Sequence, residues 1–470
     1  MLFTSPSFMF LFLPLALIFY TVIGKSYRPV ALGVISGAFQ VLLHLSNPIG
    51  MLYLPLLTLY TYLGGKLMRR FRALPLAVTV CVLPYLALLA ARFFAYVSWE
   101  GFVYPVGFTV AVIFSTSYLI TQRKSLAGEV GNAFHLFLYL FFFPVMLVGP
   151  ILRFSDFVEI TKKENLSFDV SHAASGARLF MIGFLKRIAV GAVLYESYHM
   201  LLGLFSDTPD FTVSVYLIVL IYFATFFTIS GYLDMGTGIA WMFGVSLPLE
   251  RPSNPLRASN VYAYLKNLFG GLLSWVDDYV VLPVAHRMGK NLSALYRSFC
   301  YSFFFFLFVR STAVSLILIP VVALLLFAHE RFRMREKISK SSALRGLCAL
   351  LTVAAMSGVW IFITMGSAEG VLSYIESIVV DNPEYRINQI LTRFSFLKYL
   401  FVVAIGVFTV FAGRIEFRLR RREDSLQERT VGVKEILLLG LLLVLFVFAV
   451  LIFLPNYTAY DSVPFLHLYI

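Results

Sequence analysis

The fold of this chain is decided by residues 211–235, FTVSVYLIVLIYFATFFTISGYLDM. No charged residue precedes Asp234 in this stretch. A membrane-spanning helix needs about 20 consecutive apolar residues, and this stretch supplies them. Asp234 follows the apolar run directly, where a carboxylate exposed to lipid would be costly. The stretch therefore predicts a membrane helix whose polar residues, Ser230, Tyr232 and Asp234, face protein or a cavity.

The rest of the chain repeats this pattern of long apolar runs separated by charged connections. Of 470 residues, 60% are hydrophobic and 13% are charged, with mean hydropathy +0.84, which excludes an ordinary soluble globular protein. Runs of spanning length lie at 7–24, 30–46, 49–65, 73–91, 101–121, 211–233, 346–366, 396–413 and 436–455, with 176–205 as a tenth if Lys186 and Arg187 reach the interface or face protein. We predict an all-α polytopic integral membrane protein with about 10–11 transmembrane helices plus re-entrant and interfacial helices.

Charged residues between the runs predict the orientation. Basic clusters at 25–28, 66–72, 331–345 and 414–422 alternate with acidic or uncharged connections, so the positive-inside rule predicts that both termini face outward. The same rule accounts for the net charge of +13, and we therefore expect no nucleic-acid partner. No Lys or Arg precedes Lys25, which argues against a cleaved signal peptide. The three cysteines lie in apolar runs without metal-ligand spacing, so no metal site is predicted.

Two apolar stretches break the alternation, because both ends of each are expected on the cytoplasmic side. Stretch 133–152 contains Pro144 and the Gly149–Pro150 pair, which predicts a re-entrant segment lying against protein. Stretch 298–328 carries Arg310 and Pro320 and is compatible with a hairpin of two short helices. Residues 250–297 mix charges with aromatics, as in interfacial helices. We predict one membrane domain over 1–470, with N-terminal helices at 1–124, a re-entrant and interfacial core at 125–330, and C-terminal helices at 331–470.

A series of short motifs, taken in order, resembles the membrane-bound O-acyltransferase superfamily, in the bacterial branch of alginate O-acetylase and the D-alanyl-lipoteichoic-acid transfer protein. The motifs are PVGF at 105–108, GPILRF at 149–154, GFLKR at 183–187, SGYLDM at 230–235 and PFLHLYI at 464–470. The resemblance implies a ring of helices around a re-entrant core. It also implies a tunnel that joins an intracellular acyl donor to an acceptor on the other face.

The same resemblance implies a catalytic histidine in the membrane, acting as the base on the acceptor hydroxyl. Counted back from the AHER segment at 328–331, its position falls at Phe308, Val309 and Arg310, and no histidine lies between His286 and His329. The second histidine typical of the family corresponds to Phe269. Thr228 stands where the family often has Asp. The chain therefore resembles a degenerate member that has lost its proton-transfer groups.

Several polar residues remain as candidates for a site. His135 and His286 are the two that could replace the missing base, or they are hydrogen-bonded interfacial imidazoles. Arg310 is permanently charged and cannot be a base, but it could bind an anion, pair with Asp234, or snorkel to the interface.

Two further groups have open interpretations. Ser230, Tyr232 and Asp234 either line a central cavity or tie the backbone together. Lys186 and Arg187 either bind lipid phosphates or a partner, or mark the cytoplasmic end of a span. The adjacent acids at 277 and 278 are expected to form a solvated face, because neighbouring helical residues point about 100° apart.

Three functions stay open. The leading hypothesis is a catalytically degenerate scaffold or lipid- and partner-binding subunit of a cell-envelope assembly. The first alternative is an active O-acyltransferase that modifies an envelope polysaccharide or other polymer. The second alternative is an anion or lipid conduit. We expect membrane lipids and other envelope membrane or secreted proteins as partners, and no cofactor. The resemblance implies the bacterial cytoplasmic (inner) membrane as location. An acyl donor such as acyl-CoA or acyl carrier protein enters only if the chain is active.

Overall fold

A computed structural model describes most of the chain. The described residues are 2–45, 47–71, 73–97, 104–124, 132–162, 164, 166, 168–207, 211–248, 258–309, 313–331, 342–365, 372, 374–375, 402–411 and 433–453. Arg310, the basic segment 332–341, the acidic segment 376–394 and the motif at 464–470 lie outside them.

The described residues are almost entirely helical. In the N-terminal part, a π-helical turn Phe8–Phe12 leads into α1 Leu13–Val22, followed by α2 Arg28–Leu43, α3 Pro48–Arg70, α4 Leu74–Tyr96 and α5 Phe108–Lys124. The middle part contains α6 Ala133–Phe141, α7 Phe143–Met146, α8 Phe154–Ile160, α9 Val170–Phe184, the π-helical segment Leu185–Ala192, α10 Val193–Asp207 and α11 Phe211–Met242. Next come α12 Val261–Leu268, α13 Gly270–Val276, the π-helical turn Asp277–Val281, α14 Leu282–Ala285, α15 Lys290–Phe308 and α16 Ala313–Arg331. The last described helices are α17 Ser342–Met365, α18 Val402–Phe411 and α19 Val433–Phe453.

These helices confirm an all-α polytopic membrane protein. Most described residues of each predicted run are helical. Five described helices are both long and apolar enough to cross a membrane: Lys25–Leu43, Leu74–Ala95, Val213–Met242, Val314–Arg331 and Ala343–Met365. Other runs fall short for visible reasons. The run 101–121 is described as helix only from Phe108, and 176–205 is divided by its π-helical segment.

Glycines bring α9 and α11 into direct backbone contact. A Cβ atom on Gly183 would lie 2.6 Å from the carbonyl oxygen of Gly231, and one on Gly231 would lie 2.7 Å from that of Gly183. Gly176 and Gly238 make the same kind of contact two turns away: a Cβ atom on Gly176 would lie 2.5 Å from the carbonyl oxygen of Gly238, and one on Gly238 would lie 2.6 Å from that of Gly176. Small residues allow such close approach between membrane helices, where van der Waals packing drives association. We call this contact the α9–α11 seam; it continues into the π-helical segment Leu185–Ala192.

The predicted re-entrant stretch is a broken helix inside the protein. Phe142, with φ −58° and ψ 95°, separates α6 from α7, and residues 138–152 are all buried. The ring of Phe143 packs among those of Phe8, Phe12, Phe39 and Phe243. Burial on this scale agrees with a segment that lies against protein.

After α11 the chain forms a bent pair of helices, α12 and α13, and a helical hairpin, α15 and α16. The chain turns by 104° between α12 and α13, at Phe269. Stretch 298–328 is a pair of antiparallel helices, α15 and α16, tied by a hydrogen bond of 2.7 Å from Ser302 Oγ to the carbonyl oxygen of Ile319. Each helix has 19 residues, so the two arms are longer than the short helices that the sequence indicated.

Candidate functional site

Two of the sequence candidates meet in a buried ion pair inside the α9–α11 seam. Lys186 Nζ lies 2.5 Å from Asp234 Oδ2 and donates a hydrogen bond of 2.9 Å to Ser230 Oγ. Both charged side chains are buried. The π-helical segment that carries Lys186 widens the turn, a local feature that often coincides with functional positions. Ser230 and Asp234 therefore link α11 to the π-helical segment Leu185–Ala192.

Arg187 and Tyr232 lie beside this pair. The Arg187 guanidinium is buried and lies 5.7 Å from the centre of the Tyr232 ring, a cation–π arrangement. The carboxylate of Asp234 pairs with Lys186. Arg310 lies outside the described residues, so its pairing with Asp234 stays a prediction. Helix packing buries the side chains of both Lys186 and Arg187, and the binding of a lipid phosphate or a partner there also stays a prediction.

Apolar side chains, packed among aromatic rings, occupy the described positions that the family resemblance assigns to proton transfer. Phe269 is buried and its ring centre lies 5.4 Å from that of Phe305 and 5.8 Å from that of Phe308. Val309 is fully buried beside them. Phe305 packs in turn on Trp360 at 5.7 Å. We call Phe269, Phe305, Phe308 and Trp360 the aromatic plug; rings of this kind can neither take nor give a proton.

Arg92 of α4 holds the end of α15 that leads to Arg310. Its guanidinium donates to the carbonyl oxygens of Phe306, at 3.4 Å, and Val309, at 3.0 Å, and also to that of Leu307. The last carbonyls of a helix have no partner within the helix, and a cation favours the negative end of the helix dipole. Arg92 thus fixes the backbone next to the plug.

A cavity of about 720 Å³ opens between α12–α14 and the α15–α16 hairpin. Its wall carries a charged network: Arg297 lies 3.8 Å from Asp277 Oδ1 and 3.3 Å from Glu330 Oε1, and Tyr301 donates a hydrogen bond of 2.7 Å to Asp277 Oδ2. His329 lines the same cavity. The remaining lining residues are Tyr262, Lys266, Gly270, Leu273, Ser274, Asp278, Leu282, Ser298 and Leu326.

A second cavity of about 410 Å³ shares Lys266, Gly270 and Ser274 with the first. Arg153 lines it and pairs with Asp278, which belongs to the wall of the larger cavity. Partial burial acts to lower the pKa of Arg153, but its hydrogen bond with Asp278 and the charge of that carboxylate raise the pKa above its usual value. The bent α12–α13 segment therefore separates the two cavities, and Lys266 lines both of them.

Neither of these two cavities is lined by His135 or His286, the histidines that could replace the missing base. His135 lies in the first turn of α6, where its Nδ1 is 2.8 Å from Oδ1 of the capping residue Asn132. His286 is exposed, with Nδ1 3.1 Å from the carbonyl oxygen of Leu282. Asp277 and Asp278 are not a freely solvated face, since each is engaged by an arginine. The sequence interpretation missed His329 as a cavity residue; its position one residue before Glu330, at the end of an apolar run, was the available signal.

Comparison with known proteins gives three groups of relatives, all of them bacterial. The chain is 25% identical over 321 residues to a probable alginate O-acetylase of Pseudomonas aeruginosa, covering 62% of this chain and 58% of that protein. It is 23% identical over 245 residues to a peptidoglycan O-acetyltransferase of Helicobacter pylori, covering 52% of this chain and 46% of that protein. It is 24% identical over 179 residues to a teichoic acid D-alanyltransferase of Bacillus subtilis, covering 37% and 44%. No family model matches the chain.

Proposed function

This chain is a homologue of the bacterial membrane-bound O-acyltransferases, and we propose that it is a catalytically degenerate member of that group in a cell-envelope system. In this proposal it acts as a membrane scaffold or as a lipid- and partner-binding subunit. The chain spans about three fifths of the length of the alginate O-acetylase, 58%, so the activity of that whole protein is not transferred with the homology. The proposal places the chain in the bacterial inner membrane, with envelope membrane or secreted proteins as partners and no cofactor.

The observation that carries the proposal is the aromatic plug. Transfer of an acyl group to a hydroxyl needs a group that accepts the hydroxyl proton, within hydrogen-bond reach of the acceptor. The positions that the resemblance assigns to the two family histidines are Phe269 and the Val309–Arg310 pair. Phe269 and Val309 are buried in apolar packing, and an arginine stays protonated. The surrounding helices are kept while the chemistry is lost.

A second candidate is an active O-acyltransferase, and one observation favours it. The cavity of about 720 Å³ is large enough for a ligand and carries His329 together with the Asp277–Tyr301 hydrogen bond. In this case His329, rather than His135 or His286, would be the base. An acyl donor such as acyl-CoA or acyl carrier protein would then be required.

Purified protein incubated with a radiolabelled acetyl donor and an envelope polysaccharide acceptor separates the two candidates. We expect no transfer above that of protein-free membranes. We also expect a triple variant, His135→Ala, His286→Ala and His329→Ala, to retain the cellular phenotype of the wild type. Transfer that disappears in His329→Gln, but not in the matched exposed control His286→Gln, would establish the enzyme and remove the scaffold proposal.

A further inference from the structure

One face of α2 carries a line of buried polar side chains. Ser36, Gln40 and His44 follow one another at intervals of four residues, so each is displaced by only about 40° around the helix from the one before. They are 0%, 3% and 2% exposed. Gly33 and Gly37 on the same face approach the Phe137 ring of α6. The line therefore lies inside the bundle, against the broken re-entrant helix, and not toward lipid.

Four polar atoms of this line make no close hydrogen bond to another described residue, although the Tyr53 hydroxyl lies near enough to the Gln40 side chain to interact with it. They are Ser36 Oγ, both amide atoms of Gln40, and His44 Nε2. Most buried polar groups in folded proteins are paired, and ordered water or a bound ligand is one way in which such a set on one helical face is satisfied.

The chemistry of these atoms defines what can bind. His44 Nδ1 lies 3.1 Å from the carbonyl oxygen of Gln40, so the proton is on Nδ1 and Nε2 of the neutral ring is an acceptor. The Gln40 amide and the Ser36 hydroxyl both donate and accept. A ligand must therefore donate to one group and accept from the next. None of the three side chains carries a fixed charge to balance an ion.

We propose that Ser36, Gln40 and His44 form an internal binding site for neutral hydroxyl groups. Water satisfies these requirements, since a buried water makes two to four hydrogen bonds. So does the hydroxyl of a polyol or sugar. The site is separate from both the aromatic plug and the α12–α16 cavities, and it does not depend on whether the chain transfers acyl groups.

Radiolytic hydroxyl-radical labelling of the full chain in lipid nanodiscs tests the site, because radicals formed from bound water oxidise adjacent side chains even when bulk solvent is excluded. We expect His44 to be oxidised at least an order of magnitude faster than Phe39. Phe39 is the matched control, since it lies on another face of the same helix and is 0% exposed. Oxidation of His44 no faster than that of Phe39 would show a dry interior and overturn the proposal.

Two further arms identify the occupant. Gln40→Leu should lower the oxidation of His44 severalfold, whereas Ile35→Leu, a buried apolar change on the same helix, should not; equal labelling in both variants would contradict the role of Gln40. Added glycerol, with His44 labelling normalised to the exposed His286 to correct for radical scavenging, distinguishes the sources. A lower ratio assigns the site to polyol hydroxyls, and an unchanged ratio assigns it to water alone.

Discussion

The α9–α11 seam and the wall of the 720 Å³ cavity both bring opposite charges together, but in different surroundings. In the seam the side chains of Lys186 and Asp234 are 7% and 1% exposed. In the cavity wall those of Arg297, Asp277 and Glu330 are 33%, 32% and 43% exposed. Because burial removes solvent screening, the same ionic chemistry has a large energetic consequence in the seam and a small one in the wall.

The difference comes from what surrounds the charges. Gly183 and Gly231 let two helical backbones touch, which leaves no room for solvent beside the pair. At the cavity wall the chain bends by 104° at Phe269, and a cavity of about 720 Å³ lies beside the charges. A sealed pair suits the fixed geometry of a scaffold, whereas an open network can exchange partners with a ligand.

The largest effect is expected from Lys186→Met. This change leaves the Asp234 carboxylate buried without its cation, and removing one member of a buried pair costs roughly 3–5 kcal/mol of unfolding free energy. Thermal or denaturant unfolding of purified protein measures it. The double variant Lys186→Met, Asp234→Leu should recover most of the loss. If the double variant is as unstable as the sum of the two single changes, the pair is not coupled and the comparison fails.

A somewhat smaller loss is expected from Arg92→Ala. The guanidinium is partly buried and satisfies three carbonyl groups at the end of α15, and hydrogen bonds to charged groups contribute about 1.5–3 kcal/mol. The exposed Arg69→Ala serves as the control. Amide hydrogen exchange should also rise at 306–309 in the Arg92 variant only. Unchanged exchange there would show that Arg92 does not hold this helix end.

Gly231→Ala tests the close contact itself. The new methyl group would lie 2.7 Å from the Gly183 carbonyl oxygen and 3.0 Å from Arg187 N, so the helices must separate. Overpacking of this kind costs about 1–3 kcal/mol. The control is Gly270→Ala at the cavity partition, where no atom lies within 4 Å of the added carbon. Equal melting temperatures for the two variants would mean that the seam tolerates expansion.

Arg297→Ala should have the smallest effect. Exposed ion pairs contribute about 0.2–1 kcal/mol, and salt screens them. We therefore expect a shift in melting temperature that is small in low salt and vanishes in high salt. The shift caused by Lys186→Met should remain at both salt concentrations. A loss of melting temperature in Arg297→Ala that does not depend on salt would show that the charges of the cavity wall are as shielded from solvent as those of the seam.

The sequence by itself determined the helical membrane architecture, because the length and apolarity of each run are local properties. Pro144 and the Gly149–Pro150 pair indicated the broken segment, and the resemblance assigned residue 269 and residues 308–310 to the positions of the family histidines. Ser230, Asp234 and Lys186 were also recognised as polar residues in an apolar setting.

Only the tertiary structure decided which of these residues meet. Lys186 and Asp234 are 48 residues apart, and their pairing depends on the rotation of two helices about a glycine contact that no local pattern specifies. The same applies to His329, which joins a cavity because α16 folds back on α15, and to His286, which the end of α14 leaves outside it. Apolarity places a helix in the membrane, but helix packing decides which of its faces is buried, and therefore which charges find a partner.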